Sequence, residues 1–332
     1  MTVINKIDTH HHIIPDIYRA MINETGGDKS GWGIPQWNEE YDLQIMDRWG
    51  IKKGIFSVSA PGVCIYTDKM KARKAARAIN EYQKTLSDKY PDRFVSLGSL
   101  PSLLNVEGCL TEIDYAVNHL GVIGFTVFTS YASETPFNGR TVQYLGADIF
   151  EPIWKKFNDY KLFIFVHPCP GEAKPISDIM VSCAADFTFE TTRTALHLVS
   201  SGYKTKYPDI IISLAHAGGT LPMIHDRAAL CMAMVDKNTT AEQYEAAFKT
   251  FYFDTALSSS KSSLKALFAF ADPTHVFYGS DIPWAGESIT DSNTKSLQKV
   301  LLDEWEDKEE GKKLYDMVCY KNAAALFESR GW

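Results

Sequence analysis

Nowhere in the 332 residues does an apolar run approach the roughly 20 consecutive residues that a membrane helix needs. The opening segment, Met1-Thr-Val-Ile-Asn-Lys-Ile-Asp8, also lacks the apolar stretch and small-residue cleavage site of a secretory leader. The cytosol is therefore the expected compartment, with no membrane partner. The six cysteines, Cys64, Cys109, Cys169, Cys183, Cys231 and Cys319, include no C-x-x-C pair, which argues against a disulfide framework and a thiolate zinc site. Positive charge is in deficit, with 34 Lys and Arg against 41 Asp and Glu and a net charge of −7. That balance disfavours nucleic acid as a partner and requires any anion-binding group to be local. No repeat, low-complexity tract or Ser/Gly-rich linker divides the chain, so residues 1–332 are read as one domain.

What is present is an alternation. Eight β-rich runs, Val3–Thr9, Lys53–Ser59, Phe94–Leu100, Val122–Phe128, Leu162–His167, Ile210–His216, Phe251–Thr255 and Val276–Asp281, are separated by longer segments of helical pattern. Those segments include Glu39–Trp49, Asp68–Lys89, Asn105–His119, Ile149–Tyr160, Phe187–Ser200 and Lys261–Ala271. Strands alternating with helices imply parallel pairing through right-handed crossovers. Eight units predict an α/β fold of the closed (β/α)8 barrel type, for which about 250 residues plus insertions is ordinary. An open doubly wound sheet is the alternative. Two segments, Asn23–Gln36 and Thr129–Gly146, read as insertions after strands. In a barrel both lie on the C-terminal face, where active sites are built.

The ends of the strands carry the chemistry. The first run leads into His10-His11-His12, and residues two apart on a strand share a face, so His10 and His12 can converge on one ion while His11 points away. His167 ends the fifth run, His216 the sixth and Asp281 the eighth. One histidine after an apolar strand is ordinarily a packed or capping residue. Several metal-competent side chains at the ends of separate strands are hard to explain by packing, because a barrel brings those ends to one rim. Imidazole and carboxylate donors suit a catalytic divalent metal, with zinc favoured and manganese or iron compatible with the same set.

Asp8-Thr-His10-His-His12, His167-Pro, His216-Ala-Gly-Gly and Gly279-Ser-Asp281-Ile-Pro, in this order, resemble the amidohydrolase superfamily. Met46-Asp-Arg-Trp-Gly-Ile51 and Phe187–Arg193 extend the resemblance to the aminocarboxymuconate-semialdehyde decarboxylase family within it. The resemblance implies that His10, His12, His167 and Asp281 bind metal and that His216 is catalytic. It implies one ion per chain, because the fourth run, Gly124-Phe-Thr-Val-Phe-Thr-Ser130, lacks the lysine that bridges two ions in the binuclear members. The loop Asn23–Glu40 contains no arginine of the kind that binds a second substrate carboxylate, which argues against a dicarboxylate substrate. The segment Gly31-Trp-Gly-Ile-Pro35-Gln-Trp37 resembles that of decarboxylases acting on salicylate-type acids, with 6-methylsalicylate the first candidate.

On this reading the partner is a small aromatic carboxylate, with an ortho hydroxyl beside the carboxylate. Asp281 is the expected proton donor to the ring carbon, oriented by His216. Arg227, eleven residues after His216, matches an arginine that reaches a neighbouring subunit's substrate in the family, so a homodimer is expected. The same residue also reads as an ordinary surface arginine. Trp284 and Phe189 are candidates to stack on an aromatic ring, or else pack the barrel rim. The rival activity is hydrolysis of a lactone or cyclic amide with His216 as base. A metal-binding scaffold without activity is the reading from outside enzymology.

Overall fold

Parallel strands covered on both faces are apolar throughout rather than alternating, and the run Phe163-Ile-Phe-Val-His167 is buried at every position. In the computed structural model, which describes residues 5–27, 33–137, 139–171, 177 and 179–332, ten strands form. They are β1 (Lys6–His12), β2 (Ile51–Ser57), β3 (Phe94–Gly98), β4 (Gly124–Phe128), β5 (Ser130–Phe137), β6 (Arg140–Tyr144), β7 (Phe163–His167), β8 (Ile211–Leu214), β9 (Tyr252–Asp254) and β10 (Val276–Phe277). Eight of them pair in the order β1-β2-β3-β4-β7-β8-β9-β10, all parallel. Parallel bridges Asp8 to Tyr278 and His11 to Ile282 bring the last strand back to the first. The result is the (β/α)8 barrel expected from the alternation.

The barrel interior is filled in layers. Ile7, Ile55, Leu97, Phe163, Phe165, Ile211 and Phe277, from six of the strands, form one buried cluster together with Phe327 of the helix Asn322–Arg330. Phe163 lies 6.5 Å from Phe327, while Phe165, one layer up, meets the His10 ring at 4.8 Å. Apolar side chains therefore plug one end and imidazoles crown the other. A second, larger core packs the outer faces of the strands against the helices, with Trp154 and Phe157 stacked edge to face at 5.6 Å. Helices start where side chains can accept the free amides of the first turn: Asn38 caps Glu39–Arg48 and Asp68 caps Lys69–Lys89. Among the described residues no helix is long and apolar enough to cross a membrane.

The observed strands differ from the expected runs at three informative places. The first, whose expected start at Val3 lies outside the described residues, extends from Lys6 through the histidines to His12, because the ladder to β2 continues as far as His12 opposite Ser57. The sixth stops at Leu214, since His216 and Ala217 take φ values of 55° and 56° that no strand accommodates. The eighth is only Val276–Phe277, and the chain turns before Asp281, whose φ is 60°. Of the two insertions, Thr129–Gly146 forms the antiparallel hairpin β5–β6. Part of Asn23–Gln36, including part of Gly31–Trp37, lies outside the described residues.

Strand β4 can approach β7 so closely only because position 124 is glycine: a Cβ there would lie 1.7 Å from the Phe163 carbonyl oxygen. Gly124→Ala should therefore lower the denaturation midpoint by more than ordinary overpacking, which costs about 1–3 kcal/mol. A midpoint equal to that of the parent chain would contradict this register.

Candidate metal centre and active site

Strand periodicity sends His10 and His12 to the barrel axis and His11 outward. His167 arrives from the end of β7, and Asp281 from the turn after β10. One donor atom from each of His10, His12, His167 and Asp281 falls within 4.8 Å of the others, and all four residues are buried. His10 Nε2 and His12 Nε2 are 3.1 Å apart, and Asp281 Oδ1 stands 3.3 Å from each.

The hydrogen bonds fix which ring nitrogens face inward. His10 Nδ1 donates to Asp254 Oδ2 at 3.0 Å, and His167 Nδ1 donates to the Pro168 carbonyl at 2.7 Å. With Nδ1 committed as donor, each ring when neutral presents an unprotonated Nε2. Asp281 Oδ1 is buried and makes no hydrogen bond among the described residues. Lone pairs converging at these separations in a dry interior, with an orphaned carboxylate oxygen among them, fit a divalent cation of the kind that three imidazoles and one carboxylate hold.

The electrostatics have the same shape. Burial opposes a charge on His10, but Asp254 and Asp281 outweigh it and raise His10 to about 10. Burial and then the neighbouring imidazoles push His167 well below the usual histidine range. Burial also lowers His12, with His10 adding to the effect. For Asp281 burial favours the neutral acid, yet His10 and His12 prevail and hold it well below the carboxylate range. The metal-free cluster thus carries a proton on His10 where an ion is favoured.

His216 follows β8 in a tight left-handed turn. Its amide donates to Asp254 Oδ1 at 3.2 Å and its Nδ1 to the Ala256 carbonyl at 3.1 Å, leaving Nε2 unprotonated. Burial and then the His10 charge lower its pKa, so the ring is a neutral acceptor. Its centroid is 4.9 Å from that of His10. Among the described residues no hydrogen bond joins His216 to Asp281, so the expected orienting contact is not made directly.

Asp254 was not singled out in the sequence, although Tyr252-Phe-Asp254 carries the same signal as the others, an acid at the end of an apolar strand. It orients His10 through one oxygen and the His216 turn through the other, which also accepts the Ala256 amide at 2.9 Å. Gly279 makes room for this arrangement: a Cβ there would lie 2.8 Å from His10 Cβ and 3.0 Å from Asp254 Cβ.

A cavity of ≈ 880 Å³ opens over the cluster, bordered by His167, His216 and Asp281. Its walls include the aromatic side chains Phe128, Tyr131, Phe187 and Trp284, and Ser130–Ser133 of the hairpin insertion contribute to it. Among the described lining residues there is no lysine or arginine. Trp284 borders the cavity. Phe189 does not: it lies 51% exposed on the far side of the helix Asp186–Ser200, and Phe187, two residues earlier, faces the cavity instead. The correction is one of helical phase, since two residues turn a helix through about 200°. Arg227 is exposed on the helix Leu221–Val235 and does not line this chain's cavity.

The sequence matches the amidohydrolase family over residues 7–328. The chain belongs to the amidohydrolase family. A 6-methylsalicylic acid decarboxylase of Penicillium expansum is 40% identical to this amidohydrolase over 282 residues, covering 84% of this chain and 85% of the relative. The crystal structure of 2,6-dihydroxybenzoate decarboxylase complexed with 2,6-dihydroxybenzoate superposes with a TM-score of 0.75 at 22% identity, covering 98% and 99% of the two chains. That of 5-carboxyvanillate decarboxylase from Novosphingobium aromaticivorans, complexed with manganese and a nitrobenzoic acid, gives 0.77 at 21% identity, covering 98% and 96%. At those identities the two structures speak for the shared fold.

Because His10 is protonated in the metal-free chain up to about pH 10, binding a divalent ion must expel that proton. Apparent affinity should therefore rise with pH, by about tenfold per unit for each proton released, between roughly pH 6 and 9. Titration calorimetry in buffers of different ionisation enthalpy counts the protons. Metal binding with no proton release would contradict the assignment of His10 as a ligand.

Proposed function

We propose that this amidohydrolase is a metal-dependent, non-oxidative decarboxylase of an ortho-hydroxy aromatic acid, with 6-methylsalicylate the first candidate substrate. The observation that carries the reading is a four-donor cluster at the floor of an aromatic-walled cavity whose described lining holds no cationic side chain. Among the described residues of this chain, a carboxylate entering that cavity meets no Lys or Arg on the walls and is drawn toward the cluster, as suits a reacting carboxylate. The 40% identity to a 6-methylsalicylic acid decarboxylase supports the substrate class.

His10, His12, His167 and Asp281 would hold one divalent ion, which when bound supplies a Lewis acid for the charge that develops on the ortho oxygen. Zinc suits the imidazole-rich set, and manganese, present in the 5-carboxyvanillate decarboxylase structure, is the alternative that elemental analysis would distinguish. The rest of the chemistry belongs to side chains. Asp281 is held ionised by His10 and His12, so it begins as an acceptor. It takes the proton of the ortho hydroxyl and delivers it to the ring carbon bearing the carboxylate. That carbon becomes tetrahedral, carbon dioxide departs leaving its bonding electron pair with the ring, and aromaticity returns in a phenolate that takes a proton from water to leave as the phenol. His216, neutral with Nε2 unprotonated, makes no hydrogen bond to Asp281 in this structure but stands beside the cluster as the acceptor that would steady the moving proton once substrate is bound. Trp284 and Phe187 border the space the ring would occupy, and Phe189 has no role in this account.

We further propose a homodimer in which Arg227 serves the partner's substrate. The helix Leu221–Val235 that carries it exposes Met223, Leu230, Met234 and Val235, with Met234 73% exposed. Methionines on an open apolar face are typical of association surfaces.

Two outcomes are expected. Incubation with hydroxybenzoates should release carbon dioxide and the corresponding phenol. His216→Asn should keep its metal while turnover falls about 10²–10⁴-fold. A ring-opened acid from a lactone or cyclic amide, with no carbon dioxide from any aromatic acid, would replace this reading with hydrolysis. For the dimer, Arg227→Ala should raise KM for the carboxylate substrate. Mixing it with a His167→Ala chain should restore activity, up to one intact site per heterodimer. No recovery despite proven exchange would put Arg227 outside the partner's site.

A further inference from the structure

Behind the four donors lies a second set of buried charges that the chemistry above does not use. Asp8 is on β1, two residues before His10. Its Oδ1 accepts the amide of His10 at 3.1 Å and the amide of Ser280 at 3.0 Å. Its Oδ2 accepts the Ser280 hydroxyl and lies 3.1 Å from His11 Nδ1. On the other side of the His11 ring, Nε2 is 3.0 Å and 3.1 Å from the two oxygens of Asp42, on the helix Glu39–Arg48 outside the barrel. Trp37 Nε1 donates to the same Asp42 at 3.0 Å. Asp8, His11, Asp42 and Ser280 are all fully buried.

We infer that Asp8, His11 and Asp42 form a clamp that positions Asp281 as a metal ligand, making Asp42 a positioning residue for a centre it does not touch. The inference rests on the metal reading above. Asp281 sits at φ 60°, a conformation that a residue with a side chain keeps only where its surroundings over-determine it. Three contacts do so: Asp281 donates its amide to the His10 carbonyl at 2.8 Å, Ser280 is tied to Asp8, and the Ile282 amide donates to Ser280 Oγ at 3.2 Å. The Ser280 hydroxyl is the middle of that chain, passing its proton toward Asp8 while accepting from Ile282.

Asp8 thus fastens the first strand to the turn after the last one, at the point where both send donors to the axis. His11 fixes the Asp8 carboxylate, and Asp42 fixes His11, because both ring nitrogens face carboxylate oxygens. Two carboxylates around one imidazole also leave the layer behind the donors short of positive charge, which favours a cation in front of it. The outward-pointing middle histidine of the His10–His12 run therefore serves the same centre as its neighbours, from the opposite face of the strand.

The test compares metal affinity with stability. Zn(II) and Mn(II) dissociation constants are measured by chelator competition for the parent chain, Ser280→Ala, Asp42→Asn and Asp8→Asn, beside the melting temperature of each metal-free protein. Ser280→Ala and Asp42→Asn should weaken metal binding by about 10–100-fold, the usual cost of losing an outer partner of a metal ligand. Turnover should return when the metal is made saturating. Should Asp42→Asn or Asp8→Asn not fold, Ser280→Ala, which removes a single hydroxyl, still decides the matter. Melting temperatures that fall while affinity stays within about twofold of the parent would make these residues merely structural and overturn the clamp. A parent chain that binds neither ion would instead remove the metal reading, and the clamp with it.

Discussion

Two imidazole nitrogens 3.1 Å apart, with a carboxylate oxygen 3.3 Å from both, gather acceptors that only shared protons or a cation can hold together in a buried cluster. The rest of the site follows from that constraint. Asp254 takes the outward nitrogen of His10 and so turns the other toward the axis. The Pro168 carbonyl does the same for His167. His216, held by the Ala256 carbonyl, is left as an acceptor near the cluster but apart from it. A closed parallel barrel is suited to this work, because every strand delivers its last residues to one rim while the layers below, from Phe163 to Phe165, exclude water.

Charge is arranged outward from the centre in alternating shells. The imidazoles of His10 and His12 meet Asp281 on one side, Asp254 takes the outer nitrogen of His10, and beyond them Asp8 and Asp42 enclose His11. Asp8, Asp42 and Asp254 are fully buried, so none of the three is free to relax toward solvent. Backbone strain accompanies the arrangement, with His216, Ala217, Leu257 and Asp281 all at positive φ. Such residues cost of the order of 1–3 kcal/mol each, and they gather where function fixes the geometry. The cavity walls contrast with this floor: aromatic rings, thiols and hydroxyls and, among the described residues, no fixed cation.

Much of this architecture is legible in the sequence, for a physical reason. Parallel strands are short apolar runs, so a polar residue at the end of one stands out, and a barrel needs no further information to bring such ends together. His10, His12, His167 and Asp281 are found that way. Asp254 gives the same signal at the end of β9, but a sequence does not separate a carboxylate that ligates from one that orients a ligand. Asp8 and Asp42 are harder, because their partnership through His11 joins a strand to a helix that only tertiary packing sets side by side. The end of β1 is expected at Thr9 because a histidine run looks like the close of a strand, whereas here the three histidines are buried within it. Phe189 rather than Phe187 stands out as an aromatic candidate, and only the phase of the helix Asp186–Ser200 shows that Phe187 is the one at the cavity.

The central claim is that one divalent ion sits among these four side chains. Anomalous diffraction from crystals of the metal-replete protein, recorded at the absorption edge of the ion found by elemental analysis, tests it most directly. The account predicts one strong peak per chain, bonded by the Nε2 atoms of His10, His12 and His167 and by a carboxylate oxygen of Asp281. A second peak of equal strength beside the first, or a single peak held by other residues, would contradict it.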